Sequence, residues 1–241
     1  MTAGSGSGSG SGSGAVVRRP EQVPGQAVAA GVTVAEMLDD RHGCRGLHQR
    51  RVRLDGGAVL ADAAGGQGEA WFVISGSGTL EAGAPGAAAL QPGTAVWLGP
   101  ALAYRVQAGS DLEVLACTVR ASGPAEGPEL LVTTLAECLP ERTGDREFRV
   151  LLSEGLTFTQ FAGLIPPGRA PQHQHTYDEV VHVLAGNGVA HLPAGATEIG
   201  PGTSVYLPPH TPHCLENRGP DVLRVLGVFH PAGSPAAKRE G

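Results

Sequence analysis

The sequence predicts an all-β fold built from two copies of one barrel-like unit. Three observations indicate this fold: short runs of alternating or β-branched residues, abundant turn-forming residues, and an internal repeat. Gly (37) and Pro (19) are frequent, while aromatic residues make up only 4% of the chain. Many short strands joined by tight turns suit this composition better than long helices do.

The strand-like runs recur at the spacing that is typical of a β-sandwich or barrel. The clearest of them cover residues 71–75, 95–98, 112–119, 157–164, 180–184, 204–207 and 222–229. A single short helical stretch is expected at residues 33–40, where Thr33 could cap the first turn. The chain is therefore predicted to be almost entirely strands and turns.

The internal repeat divides the chain into two halves. EAWFVISGSGTLEAG begins at Glu69, and EVVHVLAGNGVAHLPAG begins about 110 positions later at Glu179. PGTAVWLGPALAY, from Pro92, matches PGTSVYLPPHTPH, from Pro201, at nearly the same offset. The expected organisation is a disordered Gly/Ser-rich segment at 1–27, a first barrel at 28–120, a linker at 121–129, a second barrel at 130–232 and a tail at 233–241.

Bulk properties exclude several classes of partner. A formal charge of −6 and a pI near 5.8 leave no basic face for nucleic acid or an anionic membrane. No apolar run is long enough to span a bilayer, and the N-terminus has no apolar region typical of a secretion signal. We therefore expect a cytoplasmic protein whose four cysteines are free thiols.

Residues of the second half are placed to converge on a metal ion. His173 and His175 are two apart and face the same side of a strand, and Glu179 opens the next strand after a turn. His213 ends a later strand. Three imidazoles and one carboxylate suit one divalent transition metal, namely Fe(II), Mn(II), Ni(II), Cu(II) or Zn(II), and disfavour Ca²⁺ or Mg²⁺.

These residues also resemble the two sequence motifs of the cupin superfamily. All positions of the first motif are filled, by Gly168, His173, His175, Glu179 and Gly186. The second motif is matched by Gly202, Pro208, His213 and Asn217, but His210 stands where the motif has a glycine. The resemblance covers the second half in full and the first half more weakly. It implies two tandem jelly-roll barrels, with the metal inside the second.

The first copy lacks most of the ligands that the resemblance requires. If Glu69 aligns with Glu179, the histidine positions fall on Ala63, Gly65 and Tyr104. One carboxylate cannot hold a divalent ion against water. Trp71 follows Glu69 by two residues and should fill the same interior, so the first barrel is predicted to be structural.

Several further residues have more than one interpretation. His210 could be an acid/base at the barrel mouth or an exposed turn residue, and it is our candidate catalytic residue. His182 should face away from the ligands, in packing or interdomain contact. Tyr206 and Trp97 are expected in the core. Gln160 could touch substrate or face out.

The resemblance leaves three functions open. The first is a dioxygenase-like enzyme acting on a small oxygenated molecule. The second is O₂-independent Lewis-acid chemistry, such as a decarboxylase, lyase or isomerase. The third is a non-catalytic protein that binds a small molecule or metal. Two-domain cupins include quercetin dioxygenases, oxalate decarboxylases and ureidoglycine aminohydrolases, and the motifs do not choose among their substrates. A small-molecule substrate is expected in each case, and a homodimer is left open.

Overall fold

The computed structural model describes residues 14–65, 67–83, 86–120 and 127–236. Its described residues are nearly all strands and turns, with 3-10 turns at Pro20–Gln22 and Asp40–His42. The expected disorder of residues 1–13 and most of the expected linker lie outside the described residues, as does most of the expected tail. No helix in the described parts of the chain is long and apolar enough to cross a membrane.

The first barrel is a sandwich of two antiparallel sheets. Its seven-stranded sheet has the order β12 (Leu130–Thr134), β9 (Thr94–Leu98), β6 (Glu69–Ser75), β11 (Leu112–Val119), β4 (Leu47–Leu54), β3 (Val32–Leu38) and β2 (Gln26–Ala29). Its four-stranded sheet has the order β5 (Val59–Ala63), β10 (Ala103–Ala108), β7 (Gly78–Ala82) and β8 (Ala87–Leu90). The core between these sheets includes Trp71, Leu80 and Tyr104.

The second barrel repeats this arrangement. Its seven-stranded sheet has the order β1 (Val16–Arg18), β20 (Ser204–Leu207), β17 (Asp178–Ala185), β22 (Leu223–His230), β15 (Thr159–Ile165), β14 (Arg146–Leu152) and β13 (Glu141–Thr143). Its four-stranded sheet has the order β16 (Gly168–Arg169), β21 (Cys214–Asn217), β18 (Gly188–Leu192) and β19 (Gly195–Ile199). The predicted all-β fold of two tandem jelly-roll barrels is confirmed.

The two barrels pack through their seven-stranded sheets. A hydrophobic cluster between them draws Phe72 and Trp97 from the first barrel and Phe158 and Tyr206 from the second. The predicted core positions of Trp97 and Tyr206 are therefore confirmed, at 5% and 2% exposure. Alternate residues of each strand face either this interface or the barrel interior, because side chains in a strand alternate between its two faces.

Three local expectations differ from the structure. Residues 33–40 are not helical, because Val32–Leu38 pairs with Leu47–Leu54 as an antiparallel strand and its β-branched Val32, Thr33 and Val34 suit that pairing. Residues 16–27 are not outside the fold, since Val16–Arg18 pairs with β20 of the second barrel. Conversely, Leu130–Thr134 completes the sheet of the first barrel, although the sequence placed it in the second.

The cysteines are as expected. Cys44, Cys117, Cys138 and Cys214 are all free, and three of the four are buried. Each of the buried thiols fills space in the packed interior, which is the usual position of a free cysteine.

Candidate metal centre

A direct backbone pairing joins two of the predicted ligands. His173 and His213 lie opposite each other in an isolated antiparallel bridge. The His173 N–H donates to the His213 carbonyl at 3.0 Å, and the His213 N–H donates to the His173 carbonyl at 2.8 Å. Their rings lie side by side, with centroids 4.4 Å apart and planes tilted by 52°. The bridge therefore sets the spacing of these two imidazoles through the backbone.

The structure brings all four predicted ligands together. The ligating nitrogens of His173, His175 and His213 lie within 4.8 Å of one another. Glu179, on β17, places its Oε2 atom 2.7 Å from His175 Nε2 and 3.5 Å from His213 Nε2. Among the residues that the structure describes, no other group of His, Cys, Asp and Glu side chains converges in this way.

Backbone carbonyls orient two of the imidazole rings. His213 Nδ1 lies 2.8 Å from the Thr211 carbonyl, and His173 Nδ1 lies 3.2 Å from the Pro171 carbonyl. Since a carbonyl can only accept, each Nδ1 carries the proton in the neutral ring. The Nε2 lone pairs are then left to bind a ligand, which is how outer contacts usually orient metal-binding histidines.

The protonation of the cluster follows from burial and from the carboxylate. Burial, followed by the neighbouring His213 ring, lowers the pKa of His173 to about 4. Burial also lowers the pKa of His175, although Glu179 opposes it. Burial alone would lower the pKa of His213, but the hydrogen bond and charge of Glu179 outweigh it and raise that pKa. At neutral pH, His173 is unprotonated and its lone pair is available.

A cavity of about 270 Å³ opens onto this cluster inside the second barrel. Its wall is formed by the ligands together with a largely apolar set of side chains, among them Phe148, Phe161, Ile165, Tyr177, Val181, Leu207, Leu215, Val225 and Phe229. The Tyr177 ring stacks on His175, with centroids 4.7 Å apart and planes 9° from parallel. Burial, then the charge of Glu179, raises the pKa of Tyr177 to about 12, so its hydroxyl stays protonated.

Sequence reasoning missed the aromatic part of this wall. On β15 it singled out Gln160, whereas the adjacent Phe161 lines the cavity. Gln160 is fully buried and faces the interface between the barrels, so it neither touches the cavity nor faces solvent. The alternation of β15 could have revealed this, because Phe161 and Gln160 must point to opposite faces.

His210 has a backbone role in this structure. It adopts a φ of 61°, and its N–H donates to the His175 carbonyl at 2.6 Å. The motif has glycine at this position because the left-handed region favours a residue without Cβ. The His210 side chain is exposed and is not part of the cavity wall. The acid/base role predicted for it thus lacks a contact with the cavity.

His182 joins the two barrels, as its predicted position on the face opposite the ligands allows. Its Nδ1 lies 2.9 Å from the Ser204 hydroxyl, which donates in turn to the Gln49 side-chain carbonyl of the first barrel. Because Ser204 has only one proton to donate, Nδ1 of His182 must carry the proton of that bond. Burial is the main cause that lowers the pKa of His182 to about 3.

The corresponding interior of the first barrel is filled. Glu69 accepts hydrogen bonds from Arg50 and from the Trp71 indole, each at 2.8 Å. Trp71 also packs edge-on against Tyr104, at a centroid distance of 4.9 Å. The prediction that Trp71 fills this interior is confirmed. The presence of Arg50 there was not foreseen, since β4 carries no part of the repeated motifs.

A comparison with known protein families finds a match in the second barrel. Residues 162–229 match the cupin domain family. An uncharacterized protein of Methanocaldococcus jannaschii, MJ1618, is 34% identical over 70 residues. That match takes in 28% of this chain and 56% of the relative, so the chain spans little more than half the length of this curated relative.

Solved structures extend the likeness to both barrels. A mutant of Bacillus subtilis oxalate decarboxylase aligns over 89% of this chain and 76% of its own, with a TM-score of 0.75 and 14% identity. Protein Ylba from E. coli aligns over 91% of both chains, with a TM-score of 0.77 and 13% identity. Both barrels therefore share the fold of these structures, and the match to the cupin domain family lies in the second barrel.

Proposed function

We propose that the chain is a mononuclear metal-dependent enzyme of dioxygenase type, acting on a small oxygenated organic molecule in its second barrel. The observation that carries this proposal is the convergence of His173, His175 and His213, with Glu179, on one end of a cavity. Ligand side chains that meet inside a cavity leave room for a second molecule beside the ion.

The donor set fits a divalent transition metal. Imidazole nitrogen with a single carboxylate is a borderline set that favours Fe(II), Mn(II), Ni(II), Cu(II) or Zn(II) over Ca²⁺ and Mg²⁺. His173, His175, Glu179 and His213 would hold the ion. The Nδ1 contact of His173 leaves its Nε2 lone pair free for an ion, and the Nδ1 contact of His213 does the same once that ring is neutral.

The chain's own groups supply the surroundings of the reaction. When bound, the metal supplies Lewis-acid polarisation of a substrate oxygen and, if it is redox-active, electron exchange with dioxygen. The apolar wall excludes water, which strengthens electrostatic interactions near the cluster. Tyr177 keeps its proton at neutral pH and lines the cavity, so its hydroxyl can donate a hydrogen bond to a substrate oxygen.

Metal analysis of the purified protein tests the site. We expect about one transition-metal ion per chain in the native protein and almost none in the His173→Ala/His175→Ala double variant. His191→Ala is the matched control, because His191 pairs with Glu216 at 2.7 Å, away from the cavity wall. Equal metal content in the double variant and the native protein would refute the ligand assignment.

A second candidate is O₂-independent Lewis-acid chemistry, such as that of a decarboxylase, lyase or isomerase. Likeness to oxalate decarboxylase structures favours it, including one from a study of the Mn(II) centres of that enzyme at a TM-score of 0.75. Turnover under anaerobic conditions with redox-silent Zn(II) would support this candidate. Oxygen uptake that depends on both substrate and a redox-active metal would support the dioxygenase.

A further inference from the structure

The cavity is large enough to hold a substituted aromatic ring. Its volume of about 270 Å³ exceeds the ~150 Å³ in which an apolar protein cavity holds a benzene molecule. It is smaller than the roughly 300–1,000 Å³ of pockets that take drug-sized molecules. A single substituted ring therefore fits, with space left for its substituents.

Aromatic side chains are concentrated at this cavity. The chain has only five Phe, three Tyr and two Trp residues, yet Phe148, Phe161, Tyr177 and Phe229 all line it. Phe229 is the centre of the group, with ring centroids 4.9 Å from Phe161 and 4.7 Å from Tyr177. These three rings already contact one another, and together they offer an aromatic surface against which another flat ring can pack.

A glycine makes the position of one of these rings possible. Gly227 lies beside Phe161 on the neighbouring strand, and a Cβ atom on Gly227 would lie 2.1 Å from the Phe161 ring. Any side chain there would push the ring out of its place in the wall. The Phe161 ring is therefore seated directly against the backbone of β22.

The buried part of the cavity wall is mostly apolar outside the histidine cluster, and the polar Thr143, Gln174, Thr176 and Ser234 belong to its partly or fully exposed parts. Beside the three histidines and Glu179, the buried wall consists of rings and of aliphatic residues such as Ile165, Val181 and Leu207. The two other charged side chains, Arg146 and Glu147, are partly exposed and opposite in sign.

We propose that this cavity takes a substrate with a single aromatic ring, whose oxygen substituents point to the His173, His175 and His213 cluster. This inference rests on the proposed function, because it assigns the substrate class of the same metal centre. The apolar ring packs in the cavity against Phe161, Tyr177 and Phe229. The hydroxyl, carbonyl or carboxylate oxygen reaches the polar end.

Calorimetric titration of the Zn(II)-loaded protein tests the proposal with matched probes. Benzoate and acetate share a carboxylate and differ by the ring, while oxalate carries a second carboxylate instead. We expect benzoate to bind at least about tenfold more tightly than acetate, because burying the ring removes apolar area from water. Acetate or oxalate binding as tightly as benzoate would overturn the proposal.

Two Phe→Leu variants locate the effect. Phe161→Leu removes a ring from the cavity and should weaken benzoate binding about fivefold while leaving acetate unchanged. Phe158→Leu is the control, since Phe158 packs against Trp97 in the interface between the barrels. An equal loss of benzoate affinity in both variants would mean that the benzoate ring does not bind against Phe161.

Binding of phenol to metal-free protein separates this proposal from the metal assignment. The apolar wall needs no ion to bind phenol. In NMR spectra of the metal-free wild type and of His173→Ala/His175→Ala, phenol should therefore broaden or shift the resonances of residues that line the cavity. Phenol binding without any metal binding would sink the proposed function and keep the ring pocket. Metal binding without phenol binding would refute the ring pocket and leave the metal site intact.

Discussion

Arg50 holds the Glu69 carboxylate inside the first barrel through one guanidinium nitrogen, which lies 2.8 Å from both carboxylate oxygens. Strand registers show which residue takes this place in the second barrel. Arg50 pairs with Ala116, which pairs with Trp71. Phe161 pairs with Gly227, which pairs with Val181 at the position equivalent to Trp71. A cation therefore neutralises the carboxylate of one barrel, while the other keeps an open cavity.

We expect Arg50→Met to destabilise the protein by about 2 kcal/mol, because it leaves the Glu69 charge buried without a partner. The Glu69 side chain is only 6% exposed, whereas that of Arg50 is 24% exposed. The loss of stability should therefore be smaller than for a fully buried ion pair. Urea unfolding measures the change. Arg53→Met on the same strand is the control, because Arg53 is 55% exposed and should cost at most about 0.5 kcal/mol. Addition of Glu69→Gln to Arg50→Met should recover much of the loss, and no recovery would disprove the charge explanation.

Stability should fall in acid because of His182. Its folded-state pKa of about 3 lies below the value near 6.5 of an unfolded histidine. Between these two pKa values the unfolded state binds more protons than the folded state. The stabilisation that depends on neutral His182 is therefore complete above pH 6.5 and is lost as the pH falls toward 3. The expected slope is about 1.4 kcal/mol per pH unit within that window. Unfolding of metal-free wild type and His182→Gln at pH 7.5 and 5.0 measures it, and identical pH dependence of the two would contradict this assignment.

His210→Gly should raise stability by about 0.5–1 kcal/mol, because a side chain in the left-handed region carries a steric cost. Ala101 occupies the corresponding turn of the first repeat and has a φ of 58°, close to the 61° of His210. Ala101→Gly should therefore give a similar gain in thermal unfolding. Turnover of His210→Gly should stay near that of the native protein. A large loss of turnover in this variant alone would restore the acid/base role of His210.

The same substitution at two equivalent glutamines should act in opposite directions. Gln49 and Gln160 occupy corresponding register positions and are both fully buried at the interface. Gln49 accepts the Ser204 hydroxyl through Oε1 and only its Nε2 lacks a partner, whereas neither polar atom of the Gln160 side chain has a hydrogen-bond partner among the described residues. The position equivalent to Ser204 in the first barrel is Ala95, which has no hydroxyl.

Gln160→Met should therefore stabilise the protein by about 1 kcal/mol, since it removes an unsatisfied buried amide. Gln49→Met should destabilise it by about 1 kcal/mol, since it leaves the Ser204 hydroxyl without its acceptor. Chemical unfolding of both variants under the same conditions measures these two changes in the free energy of unfolding. Destabilisation of equal size in both would mean that Gln160 has a partner in solution.

The fold class and the four converging side chains were accessible from the sequence alone. The convergence of the ligands follows from their spacing and from the alternation of side chains. Their strand positions were predicted wrongly: His173 and His213 form an isolated bridge, and His213 comes just before β21 instead of ending a strand. The repeat likewise predicted two barrels, the first of which lacks the histidine ligands. These features depend on alternation and on spacing along the chain, which a sequence displays directly.

Other features needed the tertiary structure because they depend on contacts between distant strands. One strand near each barrel's start in the sequence belongs to the other barrel: Val16–Arg18 pairs with β20 of the second barrel, and Leu130–Thr134 pairs with β9 of the first. Nothing in the residues of these strands predicts such a pairing. The 33–40 stretch became a strand because Leu47–Leu54 was available to pair with it. Arg50 and Phe161 hold equivalent places in the two interiors, yet only their strand partners reveal it. The sequence by itself determined which residues could hold a metal, and the packing of distant strands decided which barrel has room for a substrate beside it.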